Sequence, residues 1–209
     1  MKFRINFYKR KLATYNFTVF DLRTKEGSCY MWDESVAKRG SSEIASCLWL
    51  WLEHLPATVK RVTLYSDSCS GQNRNINMTG MMLAAVNCLP LEQIDHKFLQ
   101  SGHTEMEVDC MHAVIERKSH SAEIFVPRDW VTIASVAKTS GQPYRVRTMT
   151  NSDFIDFKSV SFKTTTDLTV ANGLTGCTVS GFSFAKAAAL LVSKMNWTIH
   201  HFSSCVQQT

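Results

Sequence analysis

The side chains in this chain best suited to act together chemically are four acids. Asp21 closes the run ATYNFTVFDLR, Asp67 follows KRVTLYSD, and Asp109 and Glu116 lie within HTEMEVDCMHAVIERKSH. Carboxylates brought together at neutral pH repel one another unless a cation sits between them. All-oxygen ligation selects Mg²⁺ or Mn²⁺ rather than zinc. Two such ions about 4 Å apart activate a water or a 3′-hydroxyl and stabilise the leaving oxygen of a phosphodiester. The expectation is therefore a divalent-metal site on Asp21, Asp67 and Asp109, with Glu116 a further catalytic candidate.

Each acid also has a plainer reading. DLRTKEG is a good turn in its own right, so Asp21 is equally a turn former. Asp67, ahead of Ser-Cys-Ser-Gly, is a possible cap for the next helix. Asp109 sits mid-helix in this reading, where aspartate has poor propensity, and that favours a functional role. Glu116, beside Arg117, suits a surface ion pair. Glu105, Asp109, His112 and Glu116 recur at helical spacing and are expected on one face. His112 is read as a second-shell partner or a satisfied helix histidine, and Glu43 as a second-shell acid.

Around these acids lie groups suited to a phosphate backbone. LYSDSCSGQNRN supplies Gln72, Asn73 and Arg74. With His103 and Lys118 these are the expected nucleic-acid contacts, and Lys97 and Arg117 would line the same rim. Scattered surface charge is the alternative. Trp49, Trp51 and Phe98 read as core rather than as stacking platforms. Cys69 invites a thiol-nucleophile reading with His103 or His112 as base, but nothing in the sequence fixes that pairing. There is no G-x-x-x-x-G-K-[ST], so no nucleotide cofactor is expected. No CxxC or short Cys/His spacing suggests zinc.

The elements that must position these residues follow from periodicity. Residues 13 to 23 and 27 to 34 read as a hairpin across TKEG. Ile44, Leu48, Trp51, Leu52 and Leu55 form one apolar stripe of a helix, capped by Ser41 or Ser42 and ended by Pro56. Residues 60 to 67 read as a buried strand, 76 to 88 as a second helix, EQIDHKF as a strand, and HTEMEVDCMHAVIERKSH as a third helix with Thr104 its cap and Arg117 and Lys118 in its last turns. The order is hairpin, helix, strand, helix, strand, helix: an α/β chain with a mixed sheet covered by helices. Residues 1–121 are the expected core, and 122–158 an appended segment with a helix near DWVTIASVAK and a strand at YRVRTMT. Residues 159–209 read as a C-terminal extension containing a helix at FAKAAALLVSKM and a strand at WTIHHF.

Composition sets outer limits. The chain has 209 residues, 44% of them hydrophobic and 20% charged, with a formal charge of +5. This is ordinary for a globular protein, and the small basic excess favours an anionic partner only weakly. Seven cysteines form an odd set without a framework pattern, which suits small core fillers in a reducing compartment. No stretch approaches the roughly 20 apolar residues of a membrane helix, and the N-terminus has no signal-peptide pattern. The expected setting is nuclear or cytoplasmic, with nucleic acid as partner and no membrane.

Three segments in order, WDESVAKRGSSEIASCL, YSDSCSGQNRN and SGHTEMEVDCMHAVIERK, resemble an uncharacterised, mobile-element-associated domain family of animal genomes. The resemblance covers residues 10 to 158. The order of elements is similar to the ribonuclease H-like fold of DDE transposases and retroviral integrases. It implies a five-stranded mixed sheet flanked by helices, with one acid on the first strand, one after the fourth and one on a late helix. By position these are Asp21, Asp67 and either Asp109 or Glu116, and 109 − 67 − 1 = 41 residues separate the last pair. Glu43 resembles the extra helix acid of ribonuclease H. The implied activity is metal-dependent phosphodiester cleavage or strand transfer, on DNA by preference. The alternative is an inactive, domesticated module that binds nucleic acid or a protein. The tail from residue 159 falls outside the resemblance, as in a truncated copy, and no helix-turn-helix or zinc finger for recognising element ends is evident.

Overall fold

A computed structural model describes residues 12–99 and 106–157, and the backbone of 161–163, 167–169 and 189–198. Strands β1 (Ala13–Asp21) and β2 (Glu26–Asp33) form the antiparallel hairpin, followed by helix α1 (Ser41–Glu53), β3 (Arg61–Ser66), α2 (Ile76–Cys88), β4 (Gln93–Phe98) and α3 (Glu107–Ser119). Helix α4 (Pro127–Val136) and β5 (Arg145–Thr148) come next, then a short β6 (Ser161–Lys163) and β7 (Asp167–Thr169) pair and β8 (Ala189–Thr198). The fold is mixed α/β, as expected, but among the described residues the main sheet has six strands where five were expected, in the order β4-β3-β8-β1-β2-β5.

The ends of these elements are fixed by local chemistry. Lys25 closes the hairpin in the left-handed region, at φ 60°, with its N–H donating to Asp21 O at 2.8 Å. Gly27 is not the turn residue expected of TKEG. It lies in β2 where α3 comes down on the sheet, and a Cβ there would stand 2.4 Å from Met111 Cε. Gly40, rather than Ser41 or Ser42, starts α1, its N–H donating to Glu43 Oε2 at 3.0 Å. Asn75 caps α2, so Asp67 does not: Asn75 Oδ1 accepts from Met78 N at 3.0 Å. Arg117 and Lys118 stand in the last turn of α3, where cations complement the helix dipole.

Two cores lie on opposite faces of the sheet. Phe17, Val19, Tyr30, Trp32, Val62 and Leu64 pack against α1 and α2. Phe20, Cys29 and Met31 pack against Val108, Met111 and Ile115 of α3 and Trp130 and Ile133 of α4. Adjacent residues of one strand thus serve different cores, as the period-two alternation of strand side chains requires.

The largest departure from expectation is in the tail. Ala189–Thr198 was expected to be mostly helix; it is a strand, antiparallel to β1 and parallel to β3, seated between them. The pairing completes the backbone hydrogen bonding of two strands at once, and this outweighs the helix preference of a short Ala/Leu-rich run. Residues 189–198 of the C-terminal extension therefore belong to the main sheet, and β1 and β3 are not neighbours. No helix among the described residues is long and apolar enough to cross a membrane.

Candidate nucleic-acid interface

Strands β3 and β4 run parallel and end together, and the loop 67–75 and the edge of β4 converge there. The loop is tightly wound. Cys69 O accepts the N–H groups of Gln72, Asn73 and Arg74 at 3.2, 2.8 and 3.1 Å. Asp67 Oδ1 accepts Cys69 N at 3.1 Å and Asn73 Nδ2 at 2.7 Å. The exposed carboxylate thus pins the loop, and Asn73, 4% exposed, is its internal partner rather than the free contact expected.

What the pinned loop presents is Arg74. Its guanidinium carbon lies 5.8 Å from the centroid of the Phe98 ring, and the Phe98 ring packs against His96 with centroids 4.3 Å apart and planes tilted by 43°. Phe98 is 40% exposed, so it is not the core residue its sequence suggested. His96 Nε2 lies 2.8 Å from Ser66 Oγ, which anchors the ring pair to β3, and burial pushes the His96 pKa down to about 4. On the other face of the same strand end, Lys97 Nζ stands 5.6 Å from the Tyr65 ring. Each side of the β4 edge therefore carries a cation over an aromatic ring. Gln72 is half-buried, and the exposed Ile76 extends the rim into α2. Tyr65, His96 and Phe98 were missed as site residues. Their signal is modest: aromatic and basic residues alternating in QIDHKF beside a parallel partner ending in Tyr-Ser-Asp.

The acids expected to hold a metal do not meet. Asp21 pairs with Leu190, which pairs with Leu64, so Asp21 is level with Leu64 and three residues short of Asp67. With β8 between them, this is about 10 Å along the strands and about 10 Å across. Asp21 also shares the face of Phe17 and Val19, whereas Asp67 alternates with Tyr65 toward the α3 face. Its Oδ1 accepts the N–H groups of Arg23 and Thr24 at 2.8 and 3.3 Å: it is the turn former.

Asp109 is not mid-helix but in the first turn of α3, where its Oδ2 accepts Met106 N at 2.9 Å and closes a capping arrangement. Glu43 does the same for α1, which replaces the second-shell role expected of it. Glu116 is exposed on α3, as is Lys118. The expected single face of Asp109, His112 and Glu116 is split: the two acids face outward, and His112, 4% exposed, turns toward the sheet. Among the described residues neither His112 ring nitrogen has a hydrogen-bond partner, and burial pushes its pKa down to about 4. Glu105 and His103 lie outside the described residues.

Among the described residues no three His, Cys, Asp or Glu side chains gather in a group able to hold a metal ion. Asp21, Asp67 and Asp109 are engaged in a turn, a loop and a cap respectively, and they do not form such a group with Glu116 among the described residues. The thiols are also dispersed. Cys29 and Cys47 are buried fillers, Cys29 pushed up to about 12 by burial, and Cys69 and Cys110 are exposed. Cys88 is disulfide-bonded, against the expectation of reduced core thiols. Comparison with protein-family models, with curated proteins and with solved structures returns no match.

Proposed function

We propose that this chain is an α/β module of mobile-element ancestry, related to the ribonuclease H-like fold but with a different strand beside β3, that binds single-stranded DNA at the β3–β4 rim without cleaving it. The observation that carries the reading is the identity of the strand beside β3. In a ribonuclease H-like sheet the strand bearing the first catalytic acid neighbours the strand leading to the second. Here that neighbour is β8, ALLVSKMNWT, which contains no carboxylate. Among the described residues Asp67 therefore has no acid opposite it to share a cation, and it spends its charge on its own loop.

The rim suits a single strand better than a duplex. An exposed aromatic ring accepts the face of any base, a contact worth about 1–3 kcal/mol, while flanking cations track the backbone. Phe98 backed by His96 supplies the first, Arg74 and Lys97 the second. Lys118 and Arg117 add exposed positive charge on α3.

The experiment is fluorescence anisotropy of a labelled single-stranded oligonucleotide across a salt series, with Mg²⁺ or with a chelator. Binding is expected to weaken as salt rises, to be indifferent to Mg²⁺, and to fall at least tenfold in a variant combining Phe98→Ala, Arg74→Gln and Lys97→Gln. Mg²⁺-dependent cleavage that Asp67→Asn abolishes would overturn the reading and restore the catalytic one.

A further inference from the structure

A second concave site lies on the face of the sheet opposite the Tyr65–Lys97 pair. The C-terminal turn of α1 stands off from the β1–β2 turn and β5 there, leaving a cavity of about 470 Å³. That size is within the roughly 300–1,000 Å³ typical of small-molecule sites.

Its charged lining is three guanidinium groups, Arg23, Arg145 and Arg147, against two carboxylates, Asp21 and Glu26. Arg145 is held by Glu26 at 2.8 Å and Arg147 by Asp153 at 2.7 Å, each through one terminal nitrogen. An arginine fork fixed by one carboxylate keeps further N–H groups to offer an oxyanion, and it is already oriented. Arg23 has no acidic side chain paired with it among the described residues. With Asp153 counted, three guanidiniums balance three carboxylates, and what the site offers phosphate is the N–H groups these pairings leave over, those of Arg23 above all.

The rest of the wall calls for a different kind of group. Trp51, half-buried at the end of α1, lines the cavity with its neighbours Leu55 and Pro56, a flat apolar surface. Beside it are acceptors. His54 Nδ1 is engaged by the carbonyl of Leu50, which leaves Nε2 as the ring's other polar atom. Asp21 directs both turn hydrogen bonds to Oδ1, leaving Oδ2 unused among the described residues. Tyr30, whose phenol both Arg145 and Arg147 influence, closes the floor.

We infer that this cavity binds a nucleoside 5′-monophosphate, its phosphate on Arg23 and Arg145 and its base against Trp51, with the base's exocyclic N–H groups turned toward Asp21 and His54. An inorganic anion would use the guanidiniums and leave the aromatic wall and acceptors idle. A neutral aromatic would do the reverse. A phosphorylated nucleoside engages both.

The test is calorimetric titration of the full chain with AMP, adenosine and inorganic phosphate separately. AMP is expected to saturate one site, with affinity at least tenfold above either fragment. Arg23→Gln and Arg145→Gln should each weaken it tenfold or more. Arg145→Gln strands Glu26 whereas Arg23→Gln strands no carboxylate, so a shared effect reports the lost guanidinium rather than a disturbed fold. Phosphate binding as tightly as AMP, AMP failing to saturate at millimolar concentration, or AMP affinity unchanged in both variants would each overturn the inference. The rim variant described above should leave AMP binding intact, so the two sites stand or fall separately.

Discussion

On the side of the sheet covered by α1 and α2, β1 presents Phe17 and Val19 and β3 presents Val62 and Leu64, all nearly inaccessible and all apolar. On the side covered by α3 and α4 the same two strands present Thr14, Asn16, Thr18 and Thr63, equally buried. Among the described residues the Thr14 and Thr63 hydroxyls and the His112 ring have no hydrogen-bond partner, while Asn16 and Thr18 face the Cys29 thiol. Burying an unpartnered polar group costs about 1–3 kcal/mol, so one face supplies stability and the other spends part of it. The lesson is that burial alone does not identify a core. Strand alternation delivers side chains to both faces, and only their chemistry says which face is optimised for packing.

The comparison can be broken at several points. Leu64→Ala, in the centre of the apolar face, should lower stability by about 3 kcal/mol through lost burial and a residual cavity, read as a shifted urea midpoint. A loss below about 1 kcal/mol would show that this face is not the better-packed one.

His112 gives an effect of similar size, but one that depends on pH. Its pKa falls from the ordinary 6.5 to about 4 because burial disfavours the imidazolium. Between those values the unfolded chain binds a proton that the native chain refuses. Stability is therefore complete above about pH 6.5 and declines as pH falls toward 4, by on the order of 3 kcal/mol at most. His96 acts in the same direction, its pKa also near 4. Thermal melts should show His112→Leu losing less stability than the parent between pH 6.5 and 4.5. Parallel pH profiles would mean the ring is solvated.

Thr63→Val keeps shape and removes an unpartnered hydroxyl, so a gain of about 1 kcal/mol is expected in chemical denaturation. A loss would reveal a partner for Thr63. The smallest effect should come from Asp21→Asn, a half-buried turn substitution that keeps an acceptor oxygen, worth less than about 0.5 kcal/mol. In the same variant, unchanged behaviour toward oligonucleotides with and without Mg²⁺ would sharpen the assignment of Asp21 to the turn.

Much of the fold was legible because it is written locally. The alternation in ATYNFTVFD, the apolar stripe from Ile44 to Leu55 and the Met/Leu/Ala run from 76 to 88 each specify an element from residues within one or two turns. Helix α4 and β5 emerged for the same reason. The caps were less legible. Gly40, Met106 and Val126 start helices without a capping side chain, and the carboxylate three residues on does the capping instead. Asp109, read as a ligand for being an unfavourable mid-helix residue, is explained by that shift of the helix start.

The site depended on information the chain does not hold locally. Arg74 lies beside the Phe98 ring, and whether Phe98 is core or exposed turns on β4 being an edge strand, a property of the whole sheet. The same holds for the acids. Residue types and spacing determined that carboxylates would stand at strand and helix ends, because aspartate and glutamate favour such positions. Which of them meet was decided only when residues 189–198 took the place between β1 and β3. Helical periodicity reports a residue's neighbours three and four positions away. Strand adjacency is settled by pairing between segments more than a hundred residues apart, and no short stretch of sequence records it.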